Sequence, residues 1–202
     1  MARRIPIESV DIEALREHLT AGGVVAIPTE SSYGLAADPR SAAGVEAIYR
    51  IKTRDRGKPL PVVAADAEQL AVLGMELDDS ALHPLIALWP APLTLIAPAG
   101  SADGPWPASA DGATLAARVP AHPPLLTVLS ALGFPLTATS ANVAGQAPIL
   151  DPQELTSLLN GHDAWILDGG ILSGGAPSTM VLWSGGAWRV IREGRFPVDR
   201  LP

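Results

Sequence analysis

The sequence predicts one α/β domain built around a twisted, mixed, open sheet with flanking helices. Three observations predict it. Short apolar runs of strand length alternate with stretches of helical periodicity, the pattern of helices layered on a sheet. The last two apolar runs are separated only by Ser184-Gly185-Gly186, which reads as a hairpin turn and makes the closing part of the sheet antiparallel. Finally, 202 residues with 48% hydrophobic and 17% charged content suit a single packed core, and no repeat or long linker divides residues 1–202.

Each element has a local reason. Ser9 is placed to cap a helix over residues 10–21, with Ile12, Leu15 and Leu19 on one face. Gly22-Gly23 ends it, and residues 24–27 form a short buried strand that stops at Pro28. Ser41 is an N-cap for a helix reaching Lys52, with Val45, Ile48 and Tyr49 as its apolar face. Residues 60–65 read as a strand, and Asp66 caps a short helix. Residues 78–89 look helical, with Pro84 splitting or kinking them. Strands are expected at 93–97 and 114–119, joined by an exposed small-residue loop at 99–113. An apolar helix at 123–132 and a strand at 135–139 follow. Asp151-Pro152-Gln153-Glu154 has a cap residue, an N1 proline and an N3 glutamate, the start of another helix. Strands at 164–168, 179–183 and 188–192 complete the series.

Composition narrows the function. The chain has no cysteine, which excludes disulfides, thiolate catalysis and cysteine metal sites. Four scattered histidines, His18, His83, His122 and His162, argue against a histidine-rich metal site. No apolar run is long enough to span a bilayer, and the basic N-terminus has no apolar region after it, so neither a membrane span nor a signal peptide is read. The cytoplasm is the expected setting. A formal charge of −7 speaks against a protein that coats nucleic acid.

Against that acidic background, five of the 14 Lys and Arg residues fall within nine positions: Arg50, Lys52, Arg54, Arg56 and Lys58. A local concentration of cations suits an anionic ligand. Arg54 would offer a planar fork of donors and Lys58 a mobile point charge. Two readings stand side by side: a polyphosphate site, or a solvated charge run complementing a helix C-terminus. Thr139-Ser140-Ala141-Asn142 directly follows a predicted strand, where ligands of open α/β sheets sit. Ser140 and Asn142 can both donate to one phosphate, or simply form an Asx or Ser turn. Upstream, Pro28-Thr29-Glu30-Ser31-Ser32-Tyr33-Gly34-Leu35 is a strand-end loop rich in hydroxyls. Neither a Walker loop nor a GxGxxG pattern occurs.

Taken together, these motifs resemble the YrdC/TsaC family of L-threonylcarbamoyladenylate synthases, in the single-domain form. Carrying the resemblance are the 28–35 loop; Lys52-x-Arg54 with Lys58-Pro59-Leu60; and Trp89-Pro90-Ala91-Pro92-Leu93-Thr94. Further on come Arg118-Val119-Pro120 with His122-Pro123, Ser140-x-Asn142, Pro177-Ser178-Thr179 and Arg192-Glu193-Gly194. They run in order from about residue 9 to about residue 196. The resemblance implies a YrdC-like sheet with a concave basic face. It implies a reaction joining L-threonine, bicarbonate or CO2, and ATP into threonylcarbamoyl-AMP with release of pyrophosphate. The product would pass to a threonylcarbamoyl transferase complex that modifies adenosine in tRNA. Mg2+ would accompany the ATP, held mainly by phosphates and water.

By position, Ser31, Arg118 and Ser178 are implied as threonine binders, Arg118 taking the carboxylate. Lys52, Arg54 and Lys58 would meet the phosphates, with Ser140 and Asn142 completing the cradle; Lys52, Arg54, Ser140 and Asn142 form the catalytic set. Thr114, Ala138, Pro148 and Arg192 match nucleotide contacts. Trp89 reads as core packing rather than a stacking platform. Residues 169–176 suit either a cover over the site or a plain connection. The chain departs from the family at three places. Lys58-Pro59-Leu60-Pro61-Val62-Val63 replaces a common Asn-Pro-Leu with a following His, removing a threonine contact; Ala91 replaces a frequent Gly and Ala144 a frequent Ser. Two other readings fit the sequence: a YciO-like relative with the phosphate site but a different activity or none, and an RNA-binding module using the basic face.

Overall fold

The computed structural model describes residues 2–100 and 113–202; residues 101–112, most of the loop expected at 99–113, lie outside them. In chain order the elements are β1 (Arg3–Pro6), α1 (Ile12–Thr20), β2 (Val24–Pro28), β3 (Tyr33–Ala36), α2 (Ala42–Lys52), β4 (Val62–Val63), α3 (Ala67–Ala71) and α4 (His83–Ile86). Then come β5 (Leu93–Pro98), β6 (Thr114–Arg118), α5 (Pro123–Leu132), β7 (Leu136–Thr137), β8 (Thr139–Ser140), α6 (Pro152–Leu158), β9 (Ala164–Asp168), β10 (Thr179–Ser184) and β11 (Ala187–Arg192).

The strands form two open mixed sheets rather than one. The first has the order β1-β9-β2-β3-β8 and the second β11-β10-β5-β6-β4-β7. The split happens inside the segment expected as one strand at 135–139. Leu136 and Thr137 pair with β4, while Thr139 and Ser140 pair with β3. Ala138 sits between, its N–H donating to Pro61 O at 2.7 Å. The Thr137 hydroxyl ties the two sheets together by accepting from Ala37 N–H at 2.9 Å.

Strand β2 explains why its sequence is apolar without alternation. Val24 and Ala26 face a cluster with Val45 and Ile48 of α2 and Leu155 of α6. Val25 and Ile27 face the opposite cluster, with Leu15 and Leu19 of α1 and Leu125 and Leu129 of α5. Both faces of the strand are buried, so both parities must be apolar. A third cluster packs β5, β6 and β10 against Leu70 and Leu85. Trp89 packs against it with its indole N–H donating to Leu93 O at 2.7 Å, the core role expected for it.

Ser41, Asp66 and Asp151 cap α2, α3 and α6 through their side chains. Gly185 and Gly186, at φ 60° and 80°, form the hairpin turn between β10 and β11 in the left-handed geometry that glycine tolerates. Elsewhere the expectations shift. Ser9 belongs to a short 3-10 turn, and Asp11 caps α1 instead. A carboxylate accepting from two N–H groups is the stronger cap. Strand 60–65 shrinks to Val62–Val63, and helix 78–89 to His83–Ile86 with Pro84 in its first turn. Strands β1 and β3 had no sequence-level prediction. No helix among the described residues is long and apolar enough to cross a membrane.

Candidate active site

Because the chain changes sheets at Ala138, a gap opens between the sheets there. The result is a cleft of about 230 Å³. One wall is the loop 29–34 that leaves β2 and enters β3. The facing wall is the end of β6 at Arg118 and the starts of β5 and β10 at Thr94 and Ser178. The seam itself contributes Ala138, Thr139 and Ser140, and Arg54, Pro61 and Arg192 border the opening.

Seven of the residues predicted for a site line this cleft together: Ser31, Arg54, Arg118, Ala138, Ser140, Ser178 and Arg192. Five do not. Lys52 and Asn142 lie behind the wall, Lys58 is exposed on the surface, and Pro148 is exposed beyond the seam. Thr114 begins β6 and Arg118 ends it, a separation of about 13 Å at strand rise.

The basic run is dispersed by the backbone. Helix α2 ends with Thr53 in the left-handed conformation, φ 50°. Thr53 N–H donates to Arg50 O at 3.2 Å and Arg54 N–H to Tyr49 O at 3.0 Å, the paired bonds of a Schellman ending. Lys52 turns inward and is 2% exposed. Its ammonium donates to Ser140 O, to Asn142 O at 3.0 Å and to Asn142 Oδ1 at 2.8 Å, using all three protons. Burial, with the Arg54 charge adding, pulls its pKa down to about 8. Arg54 reaches the cleft edge, where its Nη2 donates to Pro59 O at 3.1 Å. Arg56 pairs with Glu46 across the surface. Thus one lysine buttresses the cleft from behind and one arginine faces it.

Ser140 Oγ donates to Asn142 Oδ1 at 2.6 Å, and Asn142 Nδ2 to Gln146 O at 2.7 Å. Lys52, Ser140 and Asn142 therefore form one closed network that fixes the turn after β8.

The other wall is less closed. Thr29 shapes the loop 29–32: its hydroxyl donates to Ser32 O at 2.7 Å and accepts weakly from the N–H groups of Ser31 and Ser32. The Ser31 hydroxyl has no partner among the described residues and faces the cleft. Arg118 Nη1 donates to Glu30 Oε1 in a pair whose side chains are 12% and 8% exposed. Ser178 Oγ shares a hydrogen bond of 2.7 Å with Thr94 Oγ1, and Arg192 Nη2 donates to Ser178 O at 2.8 Å. Burial, then repulsion from Arg118, lowers the pKa of Arg192.

Three contributors escape sequence reasoning. Thr94 and Met180 line the cleft only because β5 and β10 are parallel neighbours. Arg195 donates to Glu30 O and, at 3.4 Å, to Gly174 O. A signal exists for its path: Gly194 precedes it, and a side chain there would strike Pro177 O at 2.2 Å, so glycine lets the chain lie against Ser178. The segment 169–176 is tethered from several sides. Tyr33 OH donates to Gly170 O at 2.8 Å and accepts from Gly169 N–H at 3.0 Å, and Leu172 N–H reaches Leu150 O at 3.0 Å. Val63, where the resembled family often has histidine, is wholly enclosed in the core beside Ile27 and Leu136. Among the described residues no group of three His, Cys, Asp or Glu could hold a metal ion.

Comparison with known proteins identifies the family. The Sua5/YciO/YrdC family model, described as telomere recombination, matches residues 17–194. A threonylcarbamoyl-AMP synthase of Stenotrophomonas maltophilia (strain K279a) is 41% identical over 158 residues, 75% of this chain and 82% of that protein. One from Thiobacillus denitrificans (strain ATCC 25259 / T1) is 35% identical over 167 residues, 83% and 88% of the two chains. Among solved structures, P. abyssi Sua5 complexed with L-threonine superposes with a TM-score of 0.84 at 29% identity, covering 98% of this chain. This chain spans 59% of that Sua5's length. E. coli YciO gives a TM-score of 0.83 at 26% identity over all of both chains. With a family match over most of its length and relatives this similar, the chain belongs to the Sua5/YciO/YrdC family.

Proposed function

We propose that the chain joins L-threonine, bicarbonate or CO2, and ATP into L-threonylcarbamoyl-AMP, releasing pyrophosphate. The carrying observation is that one cleft is lined by three arginines, Arg54, Arg118 and Arg192, together with Ser31, Ser140 and Ser178. That suits an amino-acid carboxylate and a triphosphate. The threonine ammonium loses a proton to water, and the free amine adds to CO2 and sheds a second proton to water, giving a carbamate. A carbamate oxygen then attacks the α-phosphorus of ATP as the bond to the α,β-bridging oxygen breaks and pyrophosphate leaves. Such a displacement depends on positioning and charge neutralisation rather than on a protein nucleophile.

In this reading Arg118, Ser31 and Ser178 hold threonine. Arg54, Ser140 and Arg192 meet the nucleotide with Ala138, and Lys58, Thr114 and Pro148 are its outer contacts. Lys52 and Asn142 serve from behind by fixing Ser140. Mg2+ would enter as the counterion of ATP, held mainly by phosphates and water, since among the described residues no group of three His, Cys, Asp or Glu could hold it. The product serves a threonylcarbamoyl transferase complex acting on tRNA in the cytoplasm. The names of the curated relatives support the synthase assignment.

A YciO-like role is the second reading, favoured by the full mutual coverage with E. coli YciO. An RNA platform is not favoured: Tyr33, the aromatic residue at the cleft, is wholly buried with its hydroxyl tied, so its ring cannot stack on a base. The test is pyrophosphate release from ATP. It should require both threonine and bicarbonate; equal ATP consumption with serine, glycine or no amino acid would remove the synthase reading and leave the YciO-like one.

A further inference from the structure

We infer that Glu30 receives the amino group of the amino-acid substrate, so that Glu30 and Arg118 together read a zwitterion. The inference rests on the reading that this cleft takes an α-amino acid. Its physical basis is an oxygen with nothing to bind. The Glu30 side chain is 8% exposed, and Oε1 accepts from Arg118 Nη1. Oε2 is fully buried with no hydrogen-bond partner among the described residues. Leaving a buried carboxylate oxygen without a donor is unfavourable, yet this one is held in place. The Glu30 carbonyl is pinned by Arg195, and its neighbours Thr29 and Ser31 both line the cleft.

An ammonium group would supply the missing donor as a charge-assisted hydrogen bond. Only one of the guanidinium's five N–H groups is spent on Glu30. Arg118 also lines the cleft, so its other N–H groups can meet a ligand carboxylate there. In an α-amino acid both charges sit on one carbon, and a glutamate and an arginine in direct contact present the mirror arrangement. The last torsion of a glutamate is soft, so a modest turn of the carboxylate brings Oε2 towards the cleft, and the guanidinium can follow Oε1 with the same or a neighbouring N–H. Glu30 thereby selects amino acids over hydroxy acids and orients the nitrogen that becomes the carbamate.

Calorimetric titration tests this with L-threonine and with 2,3-dihydroxybutyrate, its analogue bearing a hydroxyl in place of the amino group. The wild-type chain should bind threonine at least about tenfold more tightly. Glu30→Gln should lose about that factor for threonine and change little for the analogue. Equal binding of the two acids by the wild-type chain overturns the inference whether or not the variant folds. So does a Glu30→Gln chain that weakens both acids alike, which would make Glu30 only a support for Arg118. A variant that binds threonine more tightly overturns it too, since Glu30 would then merely compete for the guanidinium. Failure of the wild-type chain to bind threonine at all would overturn the functional reading and, with it, this inference.

Discussion

On the wall built by α2 and the turn after β8, the polar groups are bonded to one another. Lys52 spends its three protons on Ser140 and Asn142, and Ser140 spends its hydroxyl proton on Asn142. On the wall built by the 29–32 loop and β6, the Ser31 hydroxyl and Glu30 Oε2 are without partners among the described residues. The first wall is a closed network by itself; under the proposed reading a bound amino acid completes the second. A triphosphate carries enough charge to be gripped by a rigid frame with few free groups, whereas a small amino acid must be recognised by the bonds that it alone completes.

The largest effect that would break this contrast is expected at Lys52. In Lys52→Met, Ser140 O and Asn142 O lose the ammonium and Asn142 Oδ1 keeps only the Ser140 hydroxyl. Stability should fall by about 3 kcal/mol, read by urea unfolding. Pyrophosphate release should drop by about 100-fold because the Ser140 turn is no longer fixed. Ser140→Ala removes only one hydroxyl and should cost far less stability, about 1 kcal/mol, while raising the ATP requirement. If Lys52→Met kept full stability, the wall would not be a closed network.

At the other wall, Arg118→Ala leaves the Glu30 carboxylate buried and unpaired, a change worth about 3 kcal/mol of stability. Its kinetic signature should differ from that of Ser140→Ala: the threonine KM rises by about tenfold or more while the ATP KM moves little. Equal shifts in both constants for both variants would erase the division into two halves.

The Lys52 proton gives the contrast a pH dependence. Burial holds its folded pKa at about 8, below the ordinary lysine value of about 10.5. Between these values the unfolded chain binds more protons than the folded one, so stability should rise with pH across that window. Activity should move the opposite way, falling as pH passes about 8, because a neutral amine cannot donate to three acceptors. Parallel pH series of unfolding and of pyrophosphate release check both, and Lys52→Arg should carry the activity limb upward out of the window. A smaller effect is expected at Tyr33→Phe, which frees Gly169 and Gly170 from the loop wall. It should cost about 1–2 kcal/mol and increase hydrogen exchange in residues 169–176 without altering the ATP KM.

How much of this was legible in the sequence follows from how local each feature is. The caps at Ser41, Asp66 and Asp151 and the Gly185-Gly186 turn are decided within a few residues, and they stand where their spacing placed them. Strand β3 was hidden because Ser31-Ser32-Tyr33-Gly34 has loop composition. It becomes a strand only because β2 and β8 flank it and Gly34 passes close to Thr139 O, where a Cβ would sit at 3.3 Å. Seven of the twelve residues named from the sequence line one cleft, but which of them turn inward was not legible. Nothing in Lys52-Thr53-Arg54 says that the lysine turns inward, and the Glu30–Arg118 pair joins residues 88 positions apart.

Thr53 is where that division is made, and it gives the smallest and most discriminating test. Left-handed backbone is the place for glycine; a β-branched residue there costs about 1 kcal/mol. Thr53→Gly relieves that strain but loosens the unfolded chain, so a net gain of about 0.5 kcal/mol is expected in urea unfolding. The two Schellman bonds at this turn are made by backbone atoms of Thr53 and Arg54, and glycine keeps both. If those bonds alone send Lys52 behind the wall and Arg54 to its face, the ATP KM stays unchanged while stability rises. A chain that becomes more stable yet uses ATP poorly would mean that the stiffness of threonine, and not the hydrogen bonding of the turn, keeps the two cations to their separate tasks.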